Sequence, residues 1–438
     1  MTVDFKNFLR ASTAAAAVLA GMASAMAGGF ALREQSAEGL GNAFAGAAAG
    51  GAGLGSMFWN PATITDKQGW NSSWNFTGIL PNATSTAGVG TSLPLLALPN
   101  VSSNFAPGAI LPASYSSYQL NDRFWVGLQT GAPFGLTTKN VPPYSGQIYG
   151  LTSKVFSTEI TPTFGYKVNE FLSIGAGVRV QYFNVGLSQS LTPAAAAPNF
   201  HMKGDAWSIG YTLGATLKPG PNTEIGIGYR SQVRPNLEGI FEAPVPFVAA
   251  AVTPISAKLT LPDQVTVGVK HRLNDQWTLL AGYEWTHWSV FNRFPVINQT
   301  TGAPILLGGA PVTLAFQWRN GWYASAGAEY QWNPALKLRA GLGYESSPIT
   351  TATRTVRLPD NNRVWATAGL SYQYSKKLSI DVSYAHIFVP VTNINIGPGH
   401  ANFVGLTYAG KARAHFDMLS VGINYRWDDP AAPIVAKF

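Results

Sequence analysis

The 438-residue chain contains no cysteine. That excludes a disulfide framework, a thiolate zinc site, a catalytic thiol and a lipid-modified N-terminal cysteine. Charge is scarce too: 11% of residues are charged, against about a quarter in an ordinary soluble domain. Length alone suggests roughly three domains, but three soluble surfaces need more charge than this. Long apolar runs are also missing. A membrane-crossing helix needs about 20 consecutive apolar residues, and none occurs after Ala27; the best stretch, 240–257, carries Glu242 and three prolines. The mean hydropathy of +0.07 is too polar for a helical bundle.

What the chain does have is 46% hydrophobic residues and 46 glycines, finely interleaved with small polar residues. Residues 1–27 read as a secretory signal, with Lys6 and Arg10 ahead of an apolar run and Ala25-Met26-Ala27 as the cleavage site. Beyond it the dominant pattern has a period of two. Ile174, Ala176, Val178, Val180 and Tyr182 alternate with small or polar residues, and so do Leu336, Leu338, Ala340, Leu342 and Tyr344. Leu419, Val421, Ile423, Tyr425 and Trp427 repeat it. Side chains alternate faces in a strand, so each segment has one apolar and one polar face.

A soluble β-sandwich would share this pattern. Here the apolar stripes end in Tyr or Trp beside turns (Tyr166, Trp277, Trp332, Tyr372, Trp427), as an interfacial girdle does. Short turn-forming segments fall at 120–123, 167–170, 218–222, 273–276, 332–334 and 374–377. Six short turns separate seven hairpins. The expected fold is all-β: a 14-stranded antiparallel transmembrane β-barrel over 68–438, with its short turns in the periplasm. The Gly- and Ala-rich segment 28–67 shows no strand pattern and is expected to plug the lumen.

No enzyme signature is present. The chain lacks G-x-S-x-G, H-E-x-x-H and a Walker A ending. Six scattered histidines show no metal-ligand spacing, and His287 and His386 read as interfacial or packing residues. No cofactor is expected. The formal charge of +8 is dispersed along strands and turns, which argues against nucleic acid.

Specific residues then carry a resemblance. The segment 29–46, GFALREQSAEGLGNAFAG, followed by Trp59-Asn60-Pro61-Ala62, resembles the mature N-terminus of the FadL/TodX outer-membrane transporters. Leu261-Pro262-Asp263-Gln264-Val265, the stretch 285–291 and Ser346-Ser347-Pro348 leading to Leu358-Pro359-Asp360-Asn361-Asn362-Arg363 fit the same family. The resemblance spans essentially the whole mature chain. It implies a plugged 14-stranded barrel in the Gram-negative outer membrane, moving long-chain fatty acids or aromatic hydrocarbons without ATP. It further implies a hatch element at Asn60, Pro61 and Ala62 beside an inward kink in the third strand. That kink would open the wall sideways, with Phe30 approaching the ligand.

The residues support a kink independently: Gly131-Ala132-Pro133-Phe134-Gly135 interrupts the third strand, where proline cannot donate a ladder hydrogen bond. The outward loops hold apolar clusters that read as a capture surface, including Phe241, Val245, Phe247, Val248 and Leu306. By strand alternation Arg179, Arg230, Arg234 and Lys258 face the lumen and are candidates for a ligand carboxylate, or for a charge network with Glu224 or Glu284. The expected partners are hydrophobic small molecules, outer-membrane lipids and lipopolysaccharide, with the chain a monomer. A general polar-solute porin and a barrel-embedded lipid hydrolase are the alternative functions, and fatty acid and neutral hydrocarbon both stay open as ligand.

Overall fold

The computed structural model describes residues 28–429 apart from 246, 247, 249 and 250. The expected signal, 1–27, lies outside the described residues, as does Phe247. Fourteen antiparallel strands close on themselves. They are β1 (Trp70–Ala87), β2 (Ala109–Gln119), β3 (Phe124–Gly131 and Gly135–Lys139), β4 (Thr152–Lys167) and β5 (Leu172–Ser190). Next come β6 (Asn199–Gly220), β7 (Thr223–Arg230 and Asn236–Glu242), β8 (Val252–Lys258 and Gln264–Arg272) and β9 (Trp277–Thr286). The barrel is completed by β10 (Gly321–Asn333), β11 (Leu336–Ser346), β12 (Arg363–Gln373), β13 (Leu378–Phe388, continued by Thr392–Ile396) and β14 (Tyr408–Arg426). A ladder from Asn71↔Arg426 to Ala87↔Gly410 joins β1 to β14 and shuts the wall.

The six short turns fall where turn chemistry demands. In four of them an asparagine carbonyl accepts the backbone N–H groups two and three residues on: Asn121, Asn169, Asn274 and Asn333. Such Asx turns fold the backbone without help from elsewhere. Alternation then sorts the faces. Along β6, Trp207, Ile209, Tyr211 and Leu213 are exposed on the outside, a continuous apolar surface that a water-soluble protein would bury. Trp277, Trp332, Tyr372 and Trp427 are exposed beside the short turns, as a girdle at one membrane face.

Residues 28–67 fold as a short helix α1 (Ala37–Gly41) and three 3-10 turns (Ala47–Ala49, Gly53–Phe58, Pro61–Asp66), packed against the inner faces of the strands. Ser36 caps α1 by accepting Gly39 N–H. The wall admits this backbone because it lacks side chains there. Gly165, Gly175, Gly214 and Gly228 stand opposite one another across β4 to β7. Gly226, Gly268 and Gly282 do so across β7 to β9. A Cβ at Gly226 would land on the Ala48 carbonyl, and one at Gly228 on the Trp59 carbonyl. Alternation on paper predicts small residues facing inward; the structure shows what they make room for.

Two clusters of charge inside the barrel are paired, which offsets the cost of burial. Arg179 and Arg230 both hold Glu159, at 2.8 and 2.7 Å. Arg339 joins Glu329 and Glu38, each at 2.8 Å.

Candidate functional site

Strand β3 breaks at Ala132–Phe134. Its first half pairs with β4 up to Gly131↔Glu159 and its second resumes at Gly135↔Phe156. Four steps on β3 thus oppose three on β4, one residue in excess, which bends a strand and re-aims its side chains. On the other side the β2–β3 ladder stops at Ser114↔Thr130. The N-terminal segment takes over there. Leu32 N–H donates to Pro133 O and Gly135 N–H to Phe30 O, both at 2.9 Å. Gln35 Nε2 donates to Ala132 O at 2.9 Å. Residues 30–35 thus satisfy the backbone groups of Ala132, Pro133 and Gly135, while the Ser157 hydroxyl of β4 accepts Phe134 N–H and donates to its carbonyl, each at 2.8 Å.

Phe30 is 3% exposed and sits at the centre of an aromatic cluster. Its ring lies 4.9 Å from Trp288, 5.2 Å from Phe291, and 5.7 Å from both Phe134 and Trp318. Gly29 adopts φ +70, and a Cβ there would press to 2.9 Å from Trp318, so only glycine fits this entry. Arg33 anchors the same segment to the wall, 2.7 Å from Glu284 and 3.0 Å from Glu345, with its guanidinium over the Tyr323 ring. Burial alone would weaken its proton affinity, but the two carboxylates more than offset that and keep Arg33 charged. At the neighbouring Glu34 burial outweighs the nearby Arg33 charge: neither oxygen has a side-chain hydrogen-bond partner among the described residues, and its carboxyl is pushed up to about 7.

Above Phe30 lies a cavity of 450 Å³, lined by Leu136, Phe183, Phe200, Met202, Leu237, Leu259, Phe291 and Trp318 among others. Ligand pockets generally span about 300–1,000 Å³ and are mostly apolar with a few polar groups. Among the described residues its only charged lining residues are Arg293 and Arg357. Arg357 donates to Thr152 O, Ser153 Oγ and Gln189 Oε1 at 3.0, 3.2 and 2.8 Å. Among the described residues it has no carboxylate partner, and burial lowers its pKa to about 10. An arginine held by neutral acceptors in an apolar cavity retains its attraction for an anion.

The sequence-derived site residues fall in several places. Gly131, Pro133 and Gly135 flank the β3 break, and Phe30 lines the cavity. Asn60, Pro61 and Ala62 are not beside the kink. Asn60 Nδ2 donates to Ala48 O, Ala215 O and Thr216 Oγ1, and its Oδ1 accepts Ala62 N–H, so the element docks on β5 to β7. The segment against the kink is 30–35 instead.

None of the four basic candidates lines the cavity. Arg179 and Arg230 face inward but are committed to Glu159. Arg234 and Lys258 are exposed. The reason is a face flip: β7 is broken between Arg230 and Asn236, where both Arg230 and Ser231 are buried, and β8 between Lys258 and Gln264. One extra residue turns every later side chain to the opposite face.

The loop residues also part company. Phe241 is fully buried, stacked on Phe200 at 5.2 Å, and Val248 packs in the same loop core. Val245 and Leu306 are exposed. Their neighbours Phe200, Met202 and Leu307 line the cavity in their place. Arg357 was missed because it lies in a loop, where alternation says nothing. The one signal was its position directly before the family-like stretch that starts at Leu358.

The model of the family described as "Outer membrane protein transport protein (OMPP1/FadL/TodX)" matches residues 16–427. The chain belongs to that family. The long-chain fatty acid transport protein of Escherichia coli K12 is 24% identical over 90% of this chain and 95% of its own. The 47 kDa outer membrane protein of Pasteurella multocida is 28% identical over 97% and 99%. Among solved structures, a Pseudomonas aeruginosa FadL homologue has a TM-score of 0.81 at 23% identity, over 92% of this chain and all of its own. The Ralstonia pickettii toluene transporter TbuX has a TM-score of 0.62 at 19% identity, over 88% and 99%. As a member of the FadL/TodX family the chain is an outer-membrane transport protein rather than an enzyme.

Proposed function

We propose that this FadL/TodX protein passively takes up amphiphiles with an apolar tail and a carboxylate head, as long-chain fatty acids have. The observation that carries this reading is a 450 Å³ apolar cavity whose charged lining, among the described residues, is two arginines. The tail packs among Phe30, Phe183 and Trp318 while the head meets Arg357. Each CH₂ buried contributes about 0.8 kcal/mol, so affinity rises about fourfold per carbon until the cavity is filled. The ligand then leaves sideways through the wall at Pro133, where residues 30–35 substitute for β2 and where their displacement would free an opening. In this reading residues 28–67 are the hatch, the protein works as a monomer, and its exterior contacts outer-membrane lipid and lipopolysaccharide.

The test is equilibrium binding of a fatty acid series against matched alcohols and toluene. Carboxylates should bind tightest and gain with chain length. A neutral hydrocarbon is the second reading, favoured by the aromatic cluster around Phe30 and by the toluene transporters of the same fold. Toluene binding better than any carboxylate would replace the first reading with the second.

A further inference from the structure

The outside of β14 changes character along its length. Ile423, Val421 and Leu419 are apolar and exposed; then come Asp417, His415, Arg413 and Lys411. The change falls at Tyr384 of β13, whose hydroxyl donates to Asp417 at 2.5 Å. Amphipathic Tyr rings mark the level where hydrocarbon meets headgroups. Asp417 is further engaged by His386 Nδ1 at 2.8 Å. Beyond it the row is wholly basic. Lys411 and Arg413 are exposed, and neither has an acidic partner among the described residues.

The flank on β1 is built of neutral polar groups: Thr86 opposite Lys411, Thr84 opposite Arg413 and Asn82 opposite His415. Lys411 to His415 spans about 14 Å along the strand, at about 3.4 Å per residue. That length, on a tilted strand, covers the interfacial layer on one side of the hydrocarbon core, about 5–8 Å deep. On β6 and β7, by contrast, Lys203 and Asp205 run beside Glu238, so charges of both signs are mixed there. The β14 row lies at the loop end of the barrel, opposite the short turns, and so faces the outer leaflet.

We propose that this row binds a phosphorylated lipid of the outer leaflet, with Lys411 and Arg413 on its phosphate and its acyl chains along Leu80, Leu419 and Val421. The assignment rests on the outward orientation and lipid contact given under the proposed function, and uses none of the cavity residues. The test is native mass spectrometry of the full chain in detergent with bisphosphorylated lipid A, the dephosphorylated lipid, or inorganic phosphate. The wild type should retain the phosphorylated lipid only. Lys411→Gln with Arg413→Gln should weaken retention about 30-fold, the product of about five- to sixfold per cation near an anionic surface. Lys411→Arg with Arg413→Lys should keep it, and heat-shifted gel mobility reports that each barrel has formed. Equal retention by the Gln pair overturns the proposal. So does inorganic phosphate competing as well as the lipid, which would mark a free-anion site. Fatty acid binding by the wild type is measured separately: its absence would count against the transport reading, not against this one.

Discussion

Replacing Arg357 by glutamine tests the cavity assignment most directly. The guanidinium is fixed by three neutral acceptors, Thr152 O, Ser153 Oγ and Gln189 Oε1, so it needs no reorganisation to meet a carboxylate. A hydrogen bond to a charged group contributes about 1.5–3 kcal/mol, which is about a 10- to 150-fold loss of affinity at about 1.4 kcal/mol per decade. The variant also leaves Gln189 and Ser153 short of a donor, so a fall in affinity alone could reflect a loosened pocket. The alcohol of the same chain length separates the two effects. It should bind wild type and Arg357→Gln within about threefold, since both contribute the same tail burial. Isothermal titration of acid and alcohol on both proteins closes a double-mutant cycle. If acid and alcohol lose affinity equally, or neither does, Arg357 does not read the head group and the argument from the cavity's charge fails.

Three further outcomes follow from features already described. The Glu34 carboxyl is raised by burial from an ordinary 4.5 to about 7, so the folded protein binds this proton more tightly than the unfolded chain. Its contribution therefore turns unfavourable as pH rises from about 4.5 through about 7. Glu34→Gln should raise hydrogen-exchange protection of residues 30–40 at about pH 8 and change it little at about pH 4, below the unfolded value; equal effects at both would refute the assignment. Gly226→Val would drive a side chain into the Ala48 carbonyl, so planar-bilayer conductance should rise as the plug is displaced, and an unchanged closed baseline would contradict this seating. Replacing Gly131, Pro133 and Gly135 together by Val or Thr should slow uptake of every ligand carried; unchanged uptake would exclude the sideways exit.

Much of the barrel was legible because its code is local. Asn121, Asn169, Asn274 and Asn333 close turns with their own side chains, so turn and strand number could be read without knowing any long-range contact. Alternation assigned faces correctly along uninterrupted strands, which is why Arg179 and Arg230 face inward. It failed where strands break: Arg234 lies within the interruption of β7 and Lys258 ends the segment before the interruption of β8, and nothing in their immediate neighbours signals the change of face. Glycine and proline marked the place where β3 breaks because they act on the backbone itself. The cavity was the least legible part. Its lining comes from loops and from upper halves of strands far apart in sequence, and Arg357 gains its meaning only from the absence of an acid nearby, which is a property of three-dimensional arrangement. The Asn60 element was legible as a tight cap but not in its location, since what it docks on is a set of glycines with no side chains to announce a partner.

Those facing glycines also constrain the order of assembly. Carbonyls of Ala48 and Trp59 sit in notches that reach across several strands, and the segment carrying them precedes β1 directly in the chain. Nothing of that bulk could be threaded into a finished cylinder whose notches are already surrounded by wall. Residues 28–67 must therefore be in place while the sheet is still an open, curling ribbon, before β1 and β14 zip together. The plug is then less a stopper inserted into a pipe than a mandrel on which the last seam is closed.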